Sequence, residues 1–356
     1  MSRQEQTPFL TYGMPGDLHD LRRVNRNRIL HNIITRGPAT RAELSRSTGM
    51  SRPTVSVIAN ELLASGVLME GDRVSSGGAP GTLLEIARET GVTLVVDLRR
   101  VEDVILATVS PGGEVGRRMH TSVDSEEDVL KCVADFAATV PRHSLIGAAI
   151  AVHGFVDPQG AWRRDPTGGL DVSVMDKLRR MLRMDVWPVN ATDAITVADL
   201  RQSPQGLSAQ ATLVMRGVAL GLLIGGTLLT GSTRPAGDIA HLIVDDAGPL
   251  CADCGSRCLF ATVEQLYTDD DNLAVHQHAA ASIAAVMAPI CATVELQEIV
   301  LALLPDTNAD QVRDLLLEAL AQRLPPAQMP QVRLSEQGRD AVLVGAAMLY
   351  LHKRLI

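Results

Sequence analysis

The sequence predicts a multidomain α/β protein that opens with a winged helix-turn-helix. Three observations carry this. From about residue 91 onward, predicted strands and helices alternate. Ahead of them come a helix, a short helix, a glycine turn and a third helix, in helix-turn-helix order, with two short strands after. Three of the five cysteines fall between Cys251 and Cys258, with His241 ten residues upstream of the first.

A chain of 356 residues allows two to three domains. No run of about 18 apolar residues suggests a membrane span, and Met1-Ser2-Arg3-Gln4-Glu5 opens no signal-peptide pattern, so a cytoplasmic protein is expected. Net charge is −8, yet residues 20–55 hold eight arginines against Asp20 and Glu43. A basic N-terminal block on an acidic body implies a polyanionic partner for one module. Aromatics are only 3% of the residues, which disfavours stacking on single strands and favours duplex DNA.

Residues 1–20, with Pro8, Pro15 and Gly16, read as a mobile arm. The DNA-binding domain is placed at 21–88. Helix 1 runs from Leu21 to Arg36, with Val24, Ile29, Leu30, Ile33 and Ile34 on one side. Thr40-Arg41-Ala42-Glu43 reads as a capping box opening a helix to Ser47. Gly49 makes the turn, Ser51 caps helix 3 and Pro53 sits in its first turn. Val55, Ile58, Leu62 and Leu63 face inward, leaving Arg52, Thr54, Ser56 and Asn60 outside. Val67 to Glu70, a turn at Gly71-Asp72, Val74, the tip Gly77 to Gly81 and Leu83 to Ile86 form the wing. A plain three-helix bundle would share the apolar spacing, but the arginine cluster and wing favour DNA. Arg52, Thr54, Ser56 and Asn60 would then reach base edges. Ser51 and Pro53 join that face, as does Gly78 on the wing, while Arg26, Arg28, Arg41 and Arg46 meet phosphates or are solvated surface.

In the body, Thr93 to Asp97, Val104 to Val109, Leu145 to Val152 and Val186 to Asn190 read as strands. Helices are expected at Ser125 to Val140, at Val174 to Met184 with Ser173 as cap, and from Asp193 to Arg201. Ala211 to Met215 and Leu220 to Ile224 are two further strands. After the cysteine segment come helices at Leu259 to Tyr267, Leu273 to Ala288 and Ala309 to Leu324, strands at Glu298 to Leu303 and Val332 to Leu334, and a final helix opened by Gly345. Cys132 and Cys291 sit in apolar helical contexts and read as buried thiols.

His241, Cys251, Cys254 and Cys258 make a closed tetrahedral donor set suited to structural Zn2+. A disulfide with a spare thiol is the alternative, and a cytoplasmic chain argues against it. Four protein ligands leave no open position, so the metal would staple a loop and do no chemistry.

The chain resembles the ROK family, named for its repressors, open reading frames and kinases, over nearly its whole length. The family hallmarks are a Gly-Glu-x-Gly-His element and a Cys-x-Cys-Gly-x-x-Gly-Cys-x-Glu element. Gly237-Asp238-Ile239-Ala240-His241 and Cys251 to Cys258 match them, with the middle cysteine shifted by one. The resemblance implies an actin-like, ribonuclease H-like, two-lobed sugar-kinase-type domain over 91–356 with a zinc knuckle. Lobe 1 would take about 91–200 plus the helix 343–356, and lobe 2 about 201–342.

The resemblance also locates losses. The first phosphate loop, Asp-x-Gly-x-Thr in relatives, is Asp97-Leu98-Arg99-Arg100-Val101 here. The second, Gly-Thr-Gly-x-Gly, is Gly217-Val218-Ala219-Leu220-Gly221. Ala191 stands after Asn190 where relatives carry the catalytic aspartate, and Asp193 should point elsewhere. No catalytic residue is therefore expected, and a sugar kinase with an accessory DNA-binding head is the competing reading. Of the sugar-holding set carried over, Asn190, Asp238 and His241 keep polar side chains, whereas Ala191 and Phe260 cannot hydrogen-bond; Gly154 and Trp162 would add a wall. The pocket either takes an altered sugar-like effector or is vestigial, the domain then serving in dimerisation. The wing lacks the arginine that relatives place after the paired glycines, which predicts weaker minor-groove A·T preference. The expected protein is a DNA-binding regulator, most simply a repressor, working on a double-stranded operator as a homodimer or homotetramer. Effector-driven lobe closure would then spoil the half-site spacing.

Overall fold

The computed structural model describes residues 18–75, 80–157, 159–163, 171–203, 207–232, 235–244, 248–269, 272–302 and 309–356. The N-terminal arm up to residue 17 and the wing tip with Gly78 lie outside the described residues. The chain divides into two compact units, Met1–Gln205 with Asp340–Ile356, and Gly206–Arg339.

The first unit begins with α1 (Leu18–Arg36), β1 (Ala39–Thr40), α2 (Arg41–Thr48), α3 (Arg52–Ala64), β2 (Leu68–Val74) and β3 (Gly81–Ile86). The caps read from sequence are present. Thr40 and Glu43 form the reciprocal capping box of α2, Gly49 ends that helix in the left-handed region, and the Ser51 hydroxyl accepts from the Thr54 amide. Ile29, Leu30, Ile34, Leu44, Val55, Leu62 and Leu84 are fully or almost fully buried and make the small core. β3 lies between β1 and β2, giving a three-stranded wing. Gly71-Asp72 is not a turn: β2 runs through it, with an irregularity between Glu70 and Arg73.

The body of this unit is a five-stranded sheet in the order β10-β7-β4-β5-β6. Its strands are β4 (Val92–Asp97), β5 (Val104–Val109), β6 (Val115–Thr121), β7 (Leu145–Val152) and β10 (Val186–Asn190). β4, β7 and β10 are parallel and β5 and β6 are antiparallel additions. α4 (Glu126–Ala138) and α5 (Val174–Leu182) cover one face through Val129, Val133, Phe136, Leu178 and Leu182, and a small pair, β8 (Phe155–Val156) and β9 (Trp162–Arg163), follows β7. Ser173 makes no side-chain cap to α5; it already has helical dihedrals. α6 (Ala191–Asp199) starts two residues earlier than the sequence predicts, because the Asn190 side chain caps it by accepting from the Asp193 amide at 3.0 Å.

The second unit carries a sheet ordered β13-β12-β11-β14-β15. The strands are β11 (Ala209–Val214), β12 (Ala219–Ile224), β13 (Thr227–Leu228), β14 (Glu298–Ala302) and β15 (Gln331–Leu334). Its helices are α7 (Leu259–Glu264), α8 (Leu273–Val294) and α9 (Ala309–Ala321). α8 runs past Ala288 and through Pro289. It is the described helix long and apolar enough to cross a membrane, but Ala280, Ile283, Ala284 and Met287 pack in the core of this unit beside Leu213, Ile299 and Leu316. Cys291 is buried there, whereas Cys132 in α4 is only half-buried, its thiol donating to the Val129 carbonyl at 3.2 Å.

The chain ends in the first unit with α10 (Ala341–Leu355). Gly345 does not open this helix; it sits inside it, where a side chain would collide with the Ala194 carbonyl of α6. The early helical start is supplied by tertiary packing, since Ala341 to Leu343 are completely buried.

Candidate nucleic-acid interface and metal centre

α3 presents two unlike faces. Val55, Ile58, Ala59 and Leu62 are buried, and Arg52, Pro53 and Asn60 are exposed, with Thr54 and Ser56 half-buried beside them. The predicted face is thus assembled on one helix, apart from Gly78. Ser51 is spent on the cap: its hydroxyl lies 2.8 Å from Thr54 Oγ1. Arg41, at the start of α2, does not stand free. Its guanidinium donates to Asn60 Oδ1 at 3.2 Å and to Glu70 Oε1 on β2 at 3.3 Å. Arg22 pairs with Glu61 across α1 and α3. Sequence reasoning missed Glu70 as a partner, because the wing strand meets α2 only in three dimensions. It also missed Val57, which is 54% exposed on α3. An apolar residue out of phase with the buried stripe was the available signal.

This head is fastened to the body along α1. The Arg201 guanidinium donates to the Ile34 carbonyl at 3.0 Å and to the Gly112 carbonyl, and Arg26 donates to Leu355 O at 3.2 Å. The rings of His31 and His352 meet edge to face, 5.4 Å between centroids. Burial pushes both imidazoles down to about 3, with Arg36 adding to the effect on His31 and His31 to that on His352.

The phosphate-loop position on the same unit is closed. Asp97 is 3% exposed, and Arg99 folds back on it with Nε and Nη2 donating at 2.9 and 2.8 Å. Ala191 is buried where relatives would place a base. Asp193, two residues on, has its carboxyl pushed up to about 7 by burial. Asn190 is engaged at both ends: its oxygen caps α6 and its NH2 donates to Gly154 O at 2.7 Å. Trp162 Nε1 donates to the His153 carbonyl at 2.7 Å, holding the loop after β7.

In the second unit the cysteine loop builds its donors locally. The Cys251 amide donates to Ser256 O at 2.9 Å, and the Gly255 amide to Cys251 O at 3.0 Å, with Gly255 in the left-handed conformation the bend requires. An isolated bridge pairs Ile243 with Cys258 and carries His241 alongside. Gly237 packs so tightly on β12 that any side chain would collide with the Leu220 carbonyl. The donor atoms of His241, Cys251, Cys254 and Cys258 lie within 4.8 Å of one another, with His241 Nδ1 3.6 Å from Cys258 Sγ and 3.9 Å from Cys251 Sγ. Tetrahedral zinc, with bonds of roughly 2.3 Å to sulfur and 2.0 Å to nitrogen, needs donor separations of this size. The site could hold a metal, and the shifted middle cysteine still reaches the cluster. Burial is the largest influence on the Cys251 thiol and would raise it, but hydrogen bonds from the Cys254 and Asp253 amides and from the Cys258 and Cys254 side chains together lower it; burial drives Cys258 up to about 11. Asp238 is exposed, and Phe260 sets its ring edge-on to His241 at 5.9 Å. In the second phosphate-loop position Val218 takes a left-handed backbone (φ 48°) with its side chain 1% exposed, the burial offsetting the strain.

Residues 24–78 match the MarR family and residues 104–266 the ROK family. The xylose repressor of Bacillus subtilis is 25% identical over 256 residues, 67% of this chain and 64% of that protein. That of Bacillus spizizenii is 24% identical with the same coverage, and the uncharacterized protein YphH of Escherichia coli is 27% identical over 69% of this chain and 64% of its own length. The chain thus spans 64% of the length of these relatives. Among solved structures, a ROK family transcriptional regulator, homolog of the E. coli MLC protein, superposes with a TM-score of 0.69 at 17% identity, covering 93% of this chain and 96% of that one. The ROK hexokinase of Thermus thermophilus gives 0.59 at 21% identity, covering 74% of this chain and 99% of that one. The chain thus carries a MarR-type winged helix-turn-helix ahead of a ROK domain.

Proposed function

We propose that this protein is a DNA-binding transcriptional repressor of the ROK type that has given up kinase chemistry. The observation that carries this is the polar, arginine-bearing face of α3, set on a winged helix. Arg52, Pro53, Thr54, Ser56 and Asn60 face the major groove, Ser51 holds the first turn, and Arg41 and the wing glycine Gly78 contact the backbone. The named repressors among the relatives support the direction of control. The reading domain is 21–88 and the ROK-type domain 91–356, and the protein works as a homodimer or homotetramer in the cytoplasm.

Loss of catalysis rests on Arg99, which occupies the phosphate loop's own carboxylate, and on Ala191. The effector is a sugar or a sugar derivative. On the first unit we assign it Gly154 and Asn190, each with hydrogen-bonding capacity left; on the second, Asp238 and His241. The cluster of His241, Cys251, Cys254 and Cys258 holds structural Zn2+. Metal would add a cross-link to a loop that has little core of its own.

The test is fluorescence anisotropy of the full chain on duplex DNA from its own upstream region at fixed salt, with xylose tried first and other sugars and sugar phosphates after. Sequence-specific binding released by one compound is expected. Specific binding absent at every salt concentration overturns the reading. Turnover of ATP with any hexose, abolished by a pocket substitution, would establish the kinase instead. Metal analysis of the purified chain should give one zinc per protomer, and Cys254→Ser should lower both zinc content and Tm.

A further inference from the structure

Val57 is the exposed large apolar residue of α3, 54% accessible, while the same helix buries Val55, Ile58, Ala59 and Leu62. It lies outside the buried stripe of the helix, and a β-branched residue in mid-helix is a poorer helix former than alanine. Its neighbour three residues on is Asn60. Residues at that spacing share a face, with Cβ atoms about 5–6 Å apart. Asn60 is also oriented. Arg41 approaches its carboxamide at 3.2 Å, and a guanidinium can only donate, so the atom it meets must be Oδ1. The NH2 edge is thereby turned away from Arg41. The exposed surface thus sets a methyl-bearing group beside an N–H donor on the helix that faces the groove.

Base edges in the major groove differ in what they offer this pair. Guanine presents two acceptors and no methyl. Adenine presents an acceptor and a donor. Cytosine presents a donor. Thymine alone places a methyl group next to an acceptor, its C5-methyl beside O4. We propose that Val57 and Asn60 together read a thymine in the operator, the valine packing on the 5-methyl group and the asparagine NH2 donating to O4. The proposal rests on the DNA-binding reading above and deepens it, assigning base identity to one position per half-site.

The experiment first selects binding duplexes from a randomised pool with the full-length protein. Each thymine of the recovered site is then replaced singly by deoxyuridine, which removes only the methyl group. In parallel each T·A pair is replaced by 5-methylcytosine·G, which keeps the methyl group and puts a donor where O4 was. Binding is compared for the wild type, Val57→Ala and Asn60→Ala. Both positions are solvent-facing, so the variants should keep their thermal unfolding midpoints, which are measured alongside. One thymine per half-site should lose about fourfold in affinity on going to deoxyuridine, the change expected for one buried methyl-sized group. Val57→Ala should show no such loss at that position. The 5-methylcytosine penalty should vanish in Asn60→Ala and persist in Val57→Ala. A site that binds specifically but contains no thymine whose deoxyuridine penalty disappears in Val57→Ala overturns the proposal and leaves the DNA-binding reading standing. A 5-methylcytosine penalty unchanged in Asn60→Ala removes Asn60 from the pair. Failure of the selection to enrich any sequence removes the DNA-binding reading itself.

Discussion

Two arginines in the first unit have opposite fates. Arg52 opens α3 exposed to solvent, where a guanidinium can meet a phosphate or a guanine edge. Arg99, in the loop after β4, is turned inward and held through Nε and Nη2 on a carboxylate that is itself buried. Each stands where a phosphate-bearing partner would be expected, one on the proposed reading helix and one in the loop that the family resemblance aligns with a phosphate loop. The difference teaches that a basic residue stays available to an outside partner only while no internal carboxylate claims it. Arg41 lies between these extremes, since Glu70 holds it at the surface, where an ion pair is weak and can be exchanged.

The comparison can be broken most strongly at Arg99. Arg99→Ala leaves Asp97 buried without its cation, which should cost about 3–5 kcal/mol of stability in denaturant unfolding. DNA affinity of the folded fraction should not change, and a large affinity loss would show that the loop serves the reading head. Next comes pH, acting on the seam that joins head to body. His31 and His352 have folded values depressed to about 3 against an unfolded 6.5. Between these limits the unfolded chain binds more protons than the folded one. Stability should therefore fall as pH drops below 6.5, by up to about 1.4 kcal/mol per unit for each histidine. Unfolding of His31→Phe between pH 5 and 7 should show a shallower slope, and an unchanged slope would clear this residue of the effect. Third, Arg52→Ala should weaken binding to the selected site by about 1–3 kcal/mol if it reads a base. Equal weakening on all sequences would make it a phosphate contact. The smallest effect is at Glu70, whose pair with Arg41 is worth roughly 0.2–1 kcal/mol. Glu70→Gln should raise affinity by a few-fold on every duplex, with a steeper salt dependence. An affinity that falls would mean Glu70 positions Arg41 and does not restrain it.

Much of the architecture could be read before any coordinates. The capping box at Thr40 and Glu43 and the Ser51 cap depend on neighbours within a few residues, the apolar runs of β5, β7 and β10 are marked in the sequence itself, and all of them appear where predicted. The His-Cys set was legible for the same reason, because metal-ligand spacing is a local property. The misplaced boundaries were not local. α10 begins at Ala341 because its first turn is completely buried, and Gly345 is there for contact with α6 and not for a helix start. α6 begins early because Asn190, expected to hold a ligand, also caps it.

The chain's own order of residues determined that a helix-turn-helix precedes an α/β body, that three thiols and an imidazole fall at ligand spacing, and that Arg99, Val101 and Ala191 stand at the positions compared with kinase residues. Those are statements about residue types at short separations, which hydrogen-bond and coordination geometry tie to local backbone. Only the tertiary structure decided that Arg99 closes on Asp97, that Arg41 is shared between Asn60 and Glu70, that the two histidines meet at the seam, and that Val57 faces outward. Each of these depends on which side chains end up within a few ångströms across turns, strands or helix faces, and on how much water is left around them, which no local periodicity encodes.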